Sequence, residues 1–270
     1  MFNIHNKSIP IDDTEMYYAT FGNGPRSLVV LPGLSDGLTT VKGLALFLAA
    51  PYRIFMKDFT VYMFSRKNKM PEGYSIKDMG DDLALAMTKI GIGKACVLGV
   101  SQGGMVAQCL AIYHPELVER LVLAVTAPYA NDVVTREVSR WIDMAKNGDH
   151  GPMMLDIAEK MYTEKYMAKY RKTAPLVAKF TKPKSYERFF RNAYAILDFS
   201  VINELGKITA PTLILAGSDD KTVGNDAPAE LKAGIPDSRL HIYEGLGHGA
   251  YEEAPDFYRR VYEFCSILNP

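Results

Sequence analysis

The sequence predicts an α/β fold with a mostly parallel central sheet, helices on both faces and one helical insertion. Short buried strands alternate with helices through residues 1–127 and again through residues 207–270. Such alternation is typical of parallel strands joined by crossover helices. Residues 128–206 are helical in character and rich in Met, Tyr and Lys. We therefore predict one core, formed by 1–127 and 207–270, that is interrupted by an insertion over 128–206.

Individual elements follow from apolar periodicity and from turn residues. Strands are predicted at Glu15–Thr20, Ser27–Leu31, Arg53–Lys57, Thr60–Ser65, Ala95–Val100, Arg120–Thr126, Thr212–Ala216 and Arg239–Tyr243. Helices of the core are predicted at Val41–Ala50, Ser75–Ile90, Gln102–Tyr113, Ala227–Ala233 and Pro255–Leu268.

The composition is that of a neutral globular protein. The 270 residues are 48% hydrophobic, and 31 Lys plus Arg balance 31 Asp plus Glu. Nucleic-acid binding usually leaves a basic surplus, so no nucleic-acid partner is expected. No membrane span is expected either, because the longest apolar stretch is Leu44–Ala50. We see no secretory signal and expect a cytoplasmic protein in which Cys96, Cys109 and Cys265 are buried thiols.

A Gly-x-Ser-x-Gly motif lies at the junction of a predicted strand and a predicted helix. It reads Gly99-Val100-Ser101-Gln102-Gly103. Glycines on both sides of the serine permit the close backbone approach of a sharp strand-to-helix turn, the nucleophile elbow. The simpler interpretation is a serine that only caps the helix. The strand and helix that flank the motif favour the elbow.

A serine nucleophile needs a base, which is usually a histidine. Among the five histidines, His248 follows the last predicted strand in a glycine-rich loop, at the sheet edge where Ser101 emerges. Structural roles are expected for His5, His114, His150 and His241. An acid should hold the base, and Asp219 and Asp220 follow another strand at the same edge. The order Ser, Asp, His matches that expected for this elbow.

With these motifs in place, the chain resembles the α/β-hydrolase family, in its capped branch, over essentially its whole length. The matching segments are Leu31-Pro32-Gly33-Leu34, Gly99 to Gly104, Gly217 to Val223, and Gly247-His248. The family pattern selects Asp220 over Asp219 as the acid, although some relatives place it where Asp132 lies. By the same resemblance, the backbone N–H groups of Leu34 and Gln102 form the oxyanion hole.

The resemblance implies acyl transfer to water without a metal or an organic cofactor. A small carboxylic ester or lactone is the expected substrate. Enol-lactonases and carbon–carbon bond hydrolases of this fold share the triad and stay open as alternatives, as does a ligand receptor with little turnover. The chain departs from the family at Pro32-Gly33, where many relatives have His-Gly. It departs again at Ser65–Lys69, which lacks the common Asp-x-x-Gly-x-Gly turn.

The insertion matches the place of the family's lid. Its apolar candidates for the pocket lining are Met153, Met154, Met161, Tyr162, Tyr166, Met167, Tyr170 and Phe180. Ten Lys or Arg against three Glu lie between Glu159 and Arg191. A solvated helix face explains such a cluster, while the functional alternative is attraction of anionic substrates. The residues that would attract them are Lys165, Lys169, Arg171, Lys172, Lys179 and Lys182.

Overall fold

The structure, a computed structural model, describes residues 3–267. The side chains of residues 170 and 173–180 lie outside the description, and with them the predictions for Tyr170, Lys179 and Phe180. Within the described residues, no helix combines the length and the apolar character that crossing a membrane requires.

Eight strands form a single sheet in the order β1-β2-β4-β3-β5-β6-β7-β8. The strands are β1 (Ile4–Ile11), β2 (Thr14–Phe21), β3 (Arg26–Leu31), β4 (Phe59–Lys67), β5 (Ala95–Val100), β6 (Val118–Ala124), β7 (Thr212–Gly217) and β8 (Ser238–Tyr243). Strand β2 runs antiparallel to β1 and β4, and every neighbouring pair from β4 to β8 is parallel. The carboxyl ends of six strands therefore meet at one edge.

Ten α-helices accompany the sheet within residues 3–267. They are α1 (Ala45–Leu48), α2 (Ile76–Lys89), α3 (Gln102–Tyr113), α4 (Asp132–Lys146), α5 (His150–Met161), α6 (Glu164–Thr181), α7 (Glu187–Leu197), α8 (Ala227–Gly234), α9 (Ala250–Glu253) and α10 (Phe257–Ser266). Consecutive strand residues feed opposite layers: Val29 packs with the core beneath α2, α3 and α8, and Leu28 with the core beneath α1 and α10. The predicted α/β-hydrolase fold, with helices on both faces, is confirmed.

Four helices, α4 to α7, lie between β6 and β7 where the sequence predicts the insertion. Asn131 caps α4 by accepting a hydrogen bond from the Val134 N–H at 2.9 Å. Where α5 ends, the Met161 carbonyl accepts a 2.7 Å hydrogen bond from the Gly249 N–H. Thr163 then donates to Glu253 through both its N–H and its hydroxyl. The insertion is thus joined to the segment that follows β8.

Two predicted elements of the core differ in the structure. Arg53–Lys57 is a turn and not a strand, with the Phe59 N–H bonded to the Phe55 carbonyl at 2.8 Å. The predicted helix Val41–Ala50 is α-helical only at Ala45–Leu48, and Gly43, whose φ of 79° does not fit a right-handed helix, prevents an earlier start. Both segments bury only some of their apolar side chains: Val41, Ala45, Phe55 and Met56 are buried, whereas Leu46, Phe47 and Ile54 are exposed.

Candidate active site

The Ser101 turn has the backbone of a nucleophile elbow. Strand β5 ends at Val100, α3 begins at Gln102, and Ser101 between them has φ 54° and ψ −121°. That conformation is costly for a residue with a Cβ and persists only where its surroundings fix it. Here the Ser101 N–H donates to the Ala124 carbonyl at 2.9 Å, and its carbonyl accepts from the Thr126 hydroxyl at 2.8 Å. Residues at and just after the end of the neighbouring strand, β6, thus fix the turn by hydrogen bonds.

Close packing explains the glycine on the far side of the serine. A Cβ placed on Gly103 would lie 2.1 Å from the Leu31 carbonyl oxygen, which is backbone and cannot move aside. The turn therefore nests against the end of β3. A Cβ on Gly33, the residue before Leu34, would in turn lie 3.2 Å from the Cβ of Ser101. The two segments predicted to supply the oxyanion hole thus lie side by side.

The predicted serine, histidine and aspartate form one hydrogen-bonded chain. The Ser101 hydroxyl lies 2.9 Å from His248 Nε2, and His248 Nδ1 lies 2.8 Å from Asp220 Oδ2. The three residues follow the ends of β5, β8 and β7, which are parallel neighbours or near neighbours in the sheet. With Nδ1–H donating to the carboxylate, Nε2 is left to accept the serine proton. This is the geometry that general-base activation of a serine requires.

Burial and backbone donors fix the aspartate. Asp220 is 3% exposed and His248 is 4% exposed. The second carboxylate oxygen of Asp220 accepts hydrogen bonds from the N–H groups of Thr222 at 2.8 Å and Val223 at 3.0 Å. Both oxygens are thereby occupied, so the carboxylate cannot rotate away from the imidazole. The Val at position 223 contributes through its backbone to this arrangement.

Asp220→Asn is expected to lower turnover far more than Asp219→Asn. Asp219 is exposed and accepts only the neighbouring Ser218 hydroxyl, at 3.0 Å. An amide at position 220 cannot stabilise an imidazolium and favours the wrong tautomer, for which about 10⁴-fold losses are known. Steady-state rates of the two variants with one ester measure the difference. Equal, mild losses would move the assignment to Asp132, which lies exposed at the start of α4.

The remaining histidines lie elsewhere. His114 pairs with Asp81 at 2.7 Å, and His150 contacts the Thr181 hydroxyl at 3.2 Å inside the insertion. His241 stands on β8 against the Tyr243 ring, and His5 is exposed on β1. Burial lowers the pKa of both His150 and His241, which favours their neutral forms. None of the four contacts Ser101 in the described part of the chain.

Two backbone N–H groups beside Ser101 are available for an oxyanion. Gln102 is the first residue of α3, and Leu34 is the first residue of a 3₁₀ turn, Leu34–Gly37. The N–H groups at such positions have no acceptor within their own helix. Leu34 and Ser101 also line the same cavity. The two N–H groups predicted to form the oxyanion hole thus lie at the starts of helical segments beside Ser101.

A cavity of about 250 Å³ lies over Ser101 and His248. Its apolar wall is formed by Leu34, Leu38, Val100, Trp141, Met154, Ile157, Ala158, Met161 and Phe189. Its polar side chains are Ser35, Ser101, Tyr162, Thr222, His248, Tyr251 and Glu252. Burial raises the pKa of the Tyr162 and Tyr251 hydroxyls above the ordinary value, so both are neutral phenols. Among the described residues, no Lys or Arg lines the cavity.

The insertion supplies part of that wall, but not all of the residues predicted for it. Met154, Met161 and Tyr162 line the cavity as predicted. Met153 and Met167 are buried in packing, and Tyr166 stacks on Tyr162 at 4.2 Å between ring centres. The sequence missed Trp141 and Phe189, which are ordinary apolar positions of amphipathic helices. Nothing in their spacing distinguishes a helix face that covers a cavity from one that covers a core.

The predicted attraction of anions by the insertion has no counterpart at the cavity. Of Lys165, Lys169, Arg171, Lys172 and Lys182, none lines it, and Lys179 lies outside the described side chains. Arg171 is instead bonded to Glu164 at 2.8 Å and to Glu159 at 3.4 Å. The side chains of Lys165, Lys169, Arg171, Lys172 and Lys182 are all exposed, as those of a solvated surface are.

A buried polar group that sequence reasoning missed lies behind the oxyanion segments. It consists of Asp36, Arg66, Gln102 and Arg188, joined by hydrogen bonds. The one sequence signal for it is the loop Ser65–Lys69, which departs from the turn common in the family. Within residues 3–267, no group of three or more His, Cys, Asp or Glu side chains is arranged to hold a metal ion.

The structure belongs to the class of α/β proteins with a serine at the carboxyl edge of a parallel sheet. The features that place it there are the sheet, the elbow and the Ser–His–Asp chain. A family model described as the alpha/beta hydrolase fold matches residues 26–255, and the chain belongs to that family. A 2-hydroxy-6-oxononadienedioate/2-hydroxy-6-oxononatrienedioate hydrolase of Pseudomonas putida is 27% identical over 267 residues, which cover 93% of this chain and 92% of the relative.

Solved structures share the fold over nearly their whole length. An alpha/beta hydrolase from a Medee basin deep-sea metagenome library has a TM-score of 0.84 at 20% identity and covers 98% of both chains. The enol-lactonase of Burkholderia xenovorans LB400 has a TM-score of 0.81 at 22% identity, over 97% of this chain and 100% of that one. At these identities the likeness establishes the fold, and the activities remain those of the relatives.

Proposed function

We propose that the protein is a serine hydrolase of small, uncharged carboxylic esters or lactones. Ser101 is the nucleophile, His248 the base, Asp220 the acid, and Leu34 and Gln102 supply the oxyanion hole through their N–H groups. The single observation that carries this proposal is the chain from Ser101 through His248 to Asp220, at 2.9 and 2.8 Å, which opens on an apolar cavity. No metal or organic cofactor takes part in the proposed reaction.

The first half of the reaction forms an acyl-enzyme. His248 Nε2 takes the proton of Ser101 as Oγ bonds to the carbonyl carbon, and the carbonyl electron pair moves onto oxygen. The resulting oxyanion is stabilised by the N–H groups of Leu34 and Gln102. Asp220 stabilises the imidazolium that forms. As the oxyanion collapses, the bond to the leaving oxygen breaks, and His248 gives that oxygen its proton.

The second half returns the enzyme to its starting state. A water molecule takes the place of the leaving alcohol, and His248 removes one of its protons as it attacks the acyl carbon. The tetrahedral intermediate occupies the same hole, and its collapse breaks the bond to Ser101 Oγ, which recovers the proton from His248. The products are a carboxylic acid and an alcohol, or a single hydroxy acid from a lactone.

The charge of the cavity wall supports uncharged substrates. The described residues of the cavity wall include no Lys or Arg that could pair with a substrate carboxylate. The one carboxylate among these residues, that of Glu252, would repel a second one. An unpaired buried charge is strongly disfavoured. Glu252 itself accepts hydrogen bonds from the Tyr162 and Tyr166 hydroxyls, at 2.8 and 3.3 Å. The wall is thus suited to an apolar acyl group.

A neutral ester is therefore expected to exceed its carboxylated counterpart in kcat/KM by about tenfold or more, which corresponds to about 1.4 kcal/mol. The measurement compares a nitrophenyl ester that carries a distal carboxylate with the methyl ester of the same compound, at low and high salt. A preference for the carboxylated ester that fades with salt would contradict this expectation. It would instead support attraction by the surface Lys and Arg residues of the insertion.

Carbon–carbon bond hydrolysis is a second candidate function, which the names of several relatives favour. Those names specify dienedioate substrates for the Pseudomonas putida relative, and such a compound carries two carboxylates. The absence of Lys and Arg from the described cavity wall weighs against that substrate class here. A panel of nitrophenyl esters, lactones, enol-lactones and vinylogous diketo acids decides between the two. Turnover of the diketo acids alone would replace our proposal by carbon–carbon cleavage.

A ligand receptor on the same scaffold would bind without turnover. Covalent labelling of Ser101 by a fluorophosphonate probe, followed by turnover of p-nitrophenyl acetate, separates the two functions. An enzyme shows both, whereas a receptor with an intact triad shows labelling and negligible turnover.

We further propose that residues 128–206 act as a lid over a core formed by residues 1–127 and 207–270. Trp141, Met154 and Phe189 from this segment line the cavity above Ser101, which supports that role.

A further inference from the structure

Helix α7 of the insertion is bonded directly to the segment that supplies one oxyanion donor. Arg188 donates to the Asp36 carboxylate at 2.6 Å and to the Asp36 carbonyl at 2.8 Å. It also donates to the carbonyls of Arg66 and Lys67, both at 2.9 Å. Asp36 lies in the 3₁₀ turn that begins at Leu34. One guanidinium therefore ties the lid, this turn and the end of β4 together.

A second guanidinium joins that turn to the other donor. Arg66, which is 4% exposed, donates to the Pro32 carbonyl at 2.8 Å and to the side-chain oxygen of Gln102 at 3.2 Å. The Gln102 amide nitrogen donates in turn to the Asn192 carbonyl of α7 at 2.8 Å. Arg66 thus bridges the segment that leads to Leu34 and the residue after the nucleophile.

The three charged groups leave a positive surplus behind the oxyanion hole. The Arg188 guanidinium is paired with the Asp36 carboxylate at 2.6 Å, and the same carboxylate oxygen accepts the backbone N–H of Arg66 at 3.0 Å. The Arg66 guanidinium bonds to the neutral oxygens of Pro32 and Gln102, so two guanidinium groups stand beside one carboxylate. Lys67, the next residue along β4, is engaged with Asp12 and Asp82 instead. Burial lowers the pKa of the Arg66 guanidinium while the Asp36 charge opposes that effect, and arginine stays cationic at neutral pH.

We propose that Arg66 and Arg188 are positioning residues for the oxyanion hole, which fix its two N–H donors and bias it electrostatically toward an anion. This inference rests on the proposed acyl transfer. The developing negative charge of the tetrahedral intermediate would be balanced by the surplus positive charge of the buried group, which is already in place and needs no reorganisation. Arg188 also neutralises Asp36, whose carboxylate would otherwise disfavour an oxyanion nearby. The lid would then assist the chemical step as well as cover the cavity.

The test replaces each arginine by methionine, which keeps the length of the side chain and removes its charge and donors. Arg191→Met is the matched control, since Arg191 lies on the same helix and forms an ion pair with Glu187 at 3.8 Å. Four quantities are measured on samples whose Ser101 has been titrated: the rate constant of fluorophosphonate labelling, kcat and KM for p-nitrophenyl acetate, and the Ki of a trifluoromethyl ketone. The ketone forms an oxyanion adduct with the serine, so its Ki reports on the hole itself.

For Arg66→Met and Arg188→Met, we expect kcat, the labelling rate constant and the ketone affinity to fall together, by about 10- to 100-fold. Direct loss of a donor costs about 10²- to 10³-fold, and these residues act one step removed. KM should change little, and Arg191→Met should match the wild type. Where a methionine variant does not fold, Arg66→Lys or Arg188→Lys keeps the charge and is expected to lose less in the same three quantities.

Two outcomes overturn the inference. Folded variants that keep the wild-type labelling rate and ketone affinity per titrated serine would reduce both arginines to structural roles. So would variants whose KM rises while kcat is unchanged, because that pattern belongs to the cavity wall and not to the hole. Wild-type protein that is labelled but hydrolyses no ester, lactone or diketo acid would overturn the proposed function alone, since labelling and ketone binding still report on the two arginines.

Discussion

Ser101→Ala is expected to lower ester turnover by about 10⁴-fold or more while the fold stays intact, a loss of the size known for removal of a serine nucleophile. The reason is geometric as well as chemical: Oγ lies 2.9 Å from His248 Nε2, and no other described hydroxyl is bonded to that nitrogen. Alanine fits the elbow because the unusual φ and ψ are imposed by the neighbouring strands. Steady-state hydrolysis of p-nitrophenyl acetate, with circular dichroism as a check of the fold, measures the effect.

Ser35→Ala provides the control for that experiment. Ser35 lines the same cavity, one residue beyond Leu34, but is not part of the hydrogen-bonded chain. We expect Ser35→Ala to change turnover little and Ser101→Ala to lose both turnover and fluorophosphonate labelling. A Ser101→Ala protein that keeps a tenth of the wild-type rate would contradict the proposed mechanism.

Much of the sheet and the chain of three site residues could be predicted from sequence because they depend on local signals. Strands β3, β5, β6 and β7 are mostly buried on both faces. Each is therefore a short, mainly aliphatic run, which predicts a buried strand without knowledge of its neighbours. The glycines of the elbow are required because a Cβ at either position would clash with nearby backbone atoms. This requirement is visible in the sequence next to Ser101. Once parallel strands are assumed, their carboxyl ends share an edge, and the loops that carry Asp220 and His248 meet there.

The first strand shows where such signals fade. Strand β1 is an edge strand whose residues are mostly exposed, and only Ile9 and Ile11 are buried. With one face in solvent over most of its length, it carries little hydrophobic pattern, and it forms because β2 offers a partner. The turn at Arg53–Lys57 is the opposite case, in which buried Phe55 and Met56 give a strand-like pattern to a helical turn.

Arg66, which is buried, and Arg188, which is half-buried, could not be predicted for a different reason. Arg66 and Arg188 are 122 residues apart in the chain and meet only when α7 packs against the Leu34–Gly37 turn, next to the end of β4. A lone arginine in a sequence is most simply interpreted as a surface residue, since charged side chains are rarely buried unless they are paired. Its partners here are carbonyl groups and one carboxylate, and none of them leaves a recognisable spacing in the sequence. Only the three-dimensional structure links these residues to Leu34 and Gln102.

His248→Ala is expected to lower turnover about as much as Ser101→Ala, because loss of either member of such a pair removes nearly the whole contribution of the triad. An imidazole accepts the Ser101 proton only in its neutral form, so wild-type kcat/KM should rise with pH. In His248→Ala the residual rate should lose that rise. A pH–rate profile of both proteins with an ester that does not itself ionise provides the measurement.

His241→Ala and His114→Ala are the matched controls for this last prediction. His241 contacts the Tyr243 ring at 4.6 Å between ring centres, and His114 pairs with Asp81, so neither can reach the serine. Both variants should keep the wild-type rate and its pH dependence. An active His248→Ala protein together with an inactive His241→Ala protein would place the base on β8. Because the imidazole of His248 is held between Asp220 and Ser101 on both of its nitrogens, we expect the loss at position 248 alone.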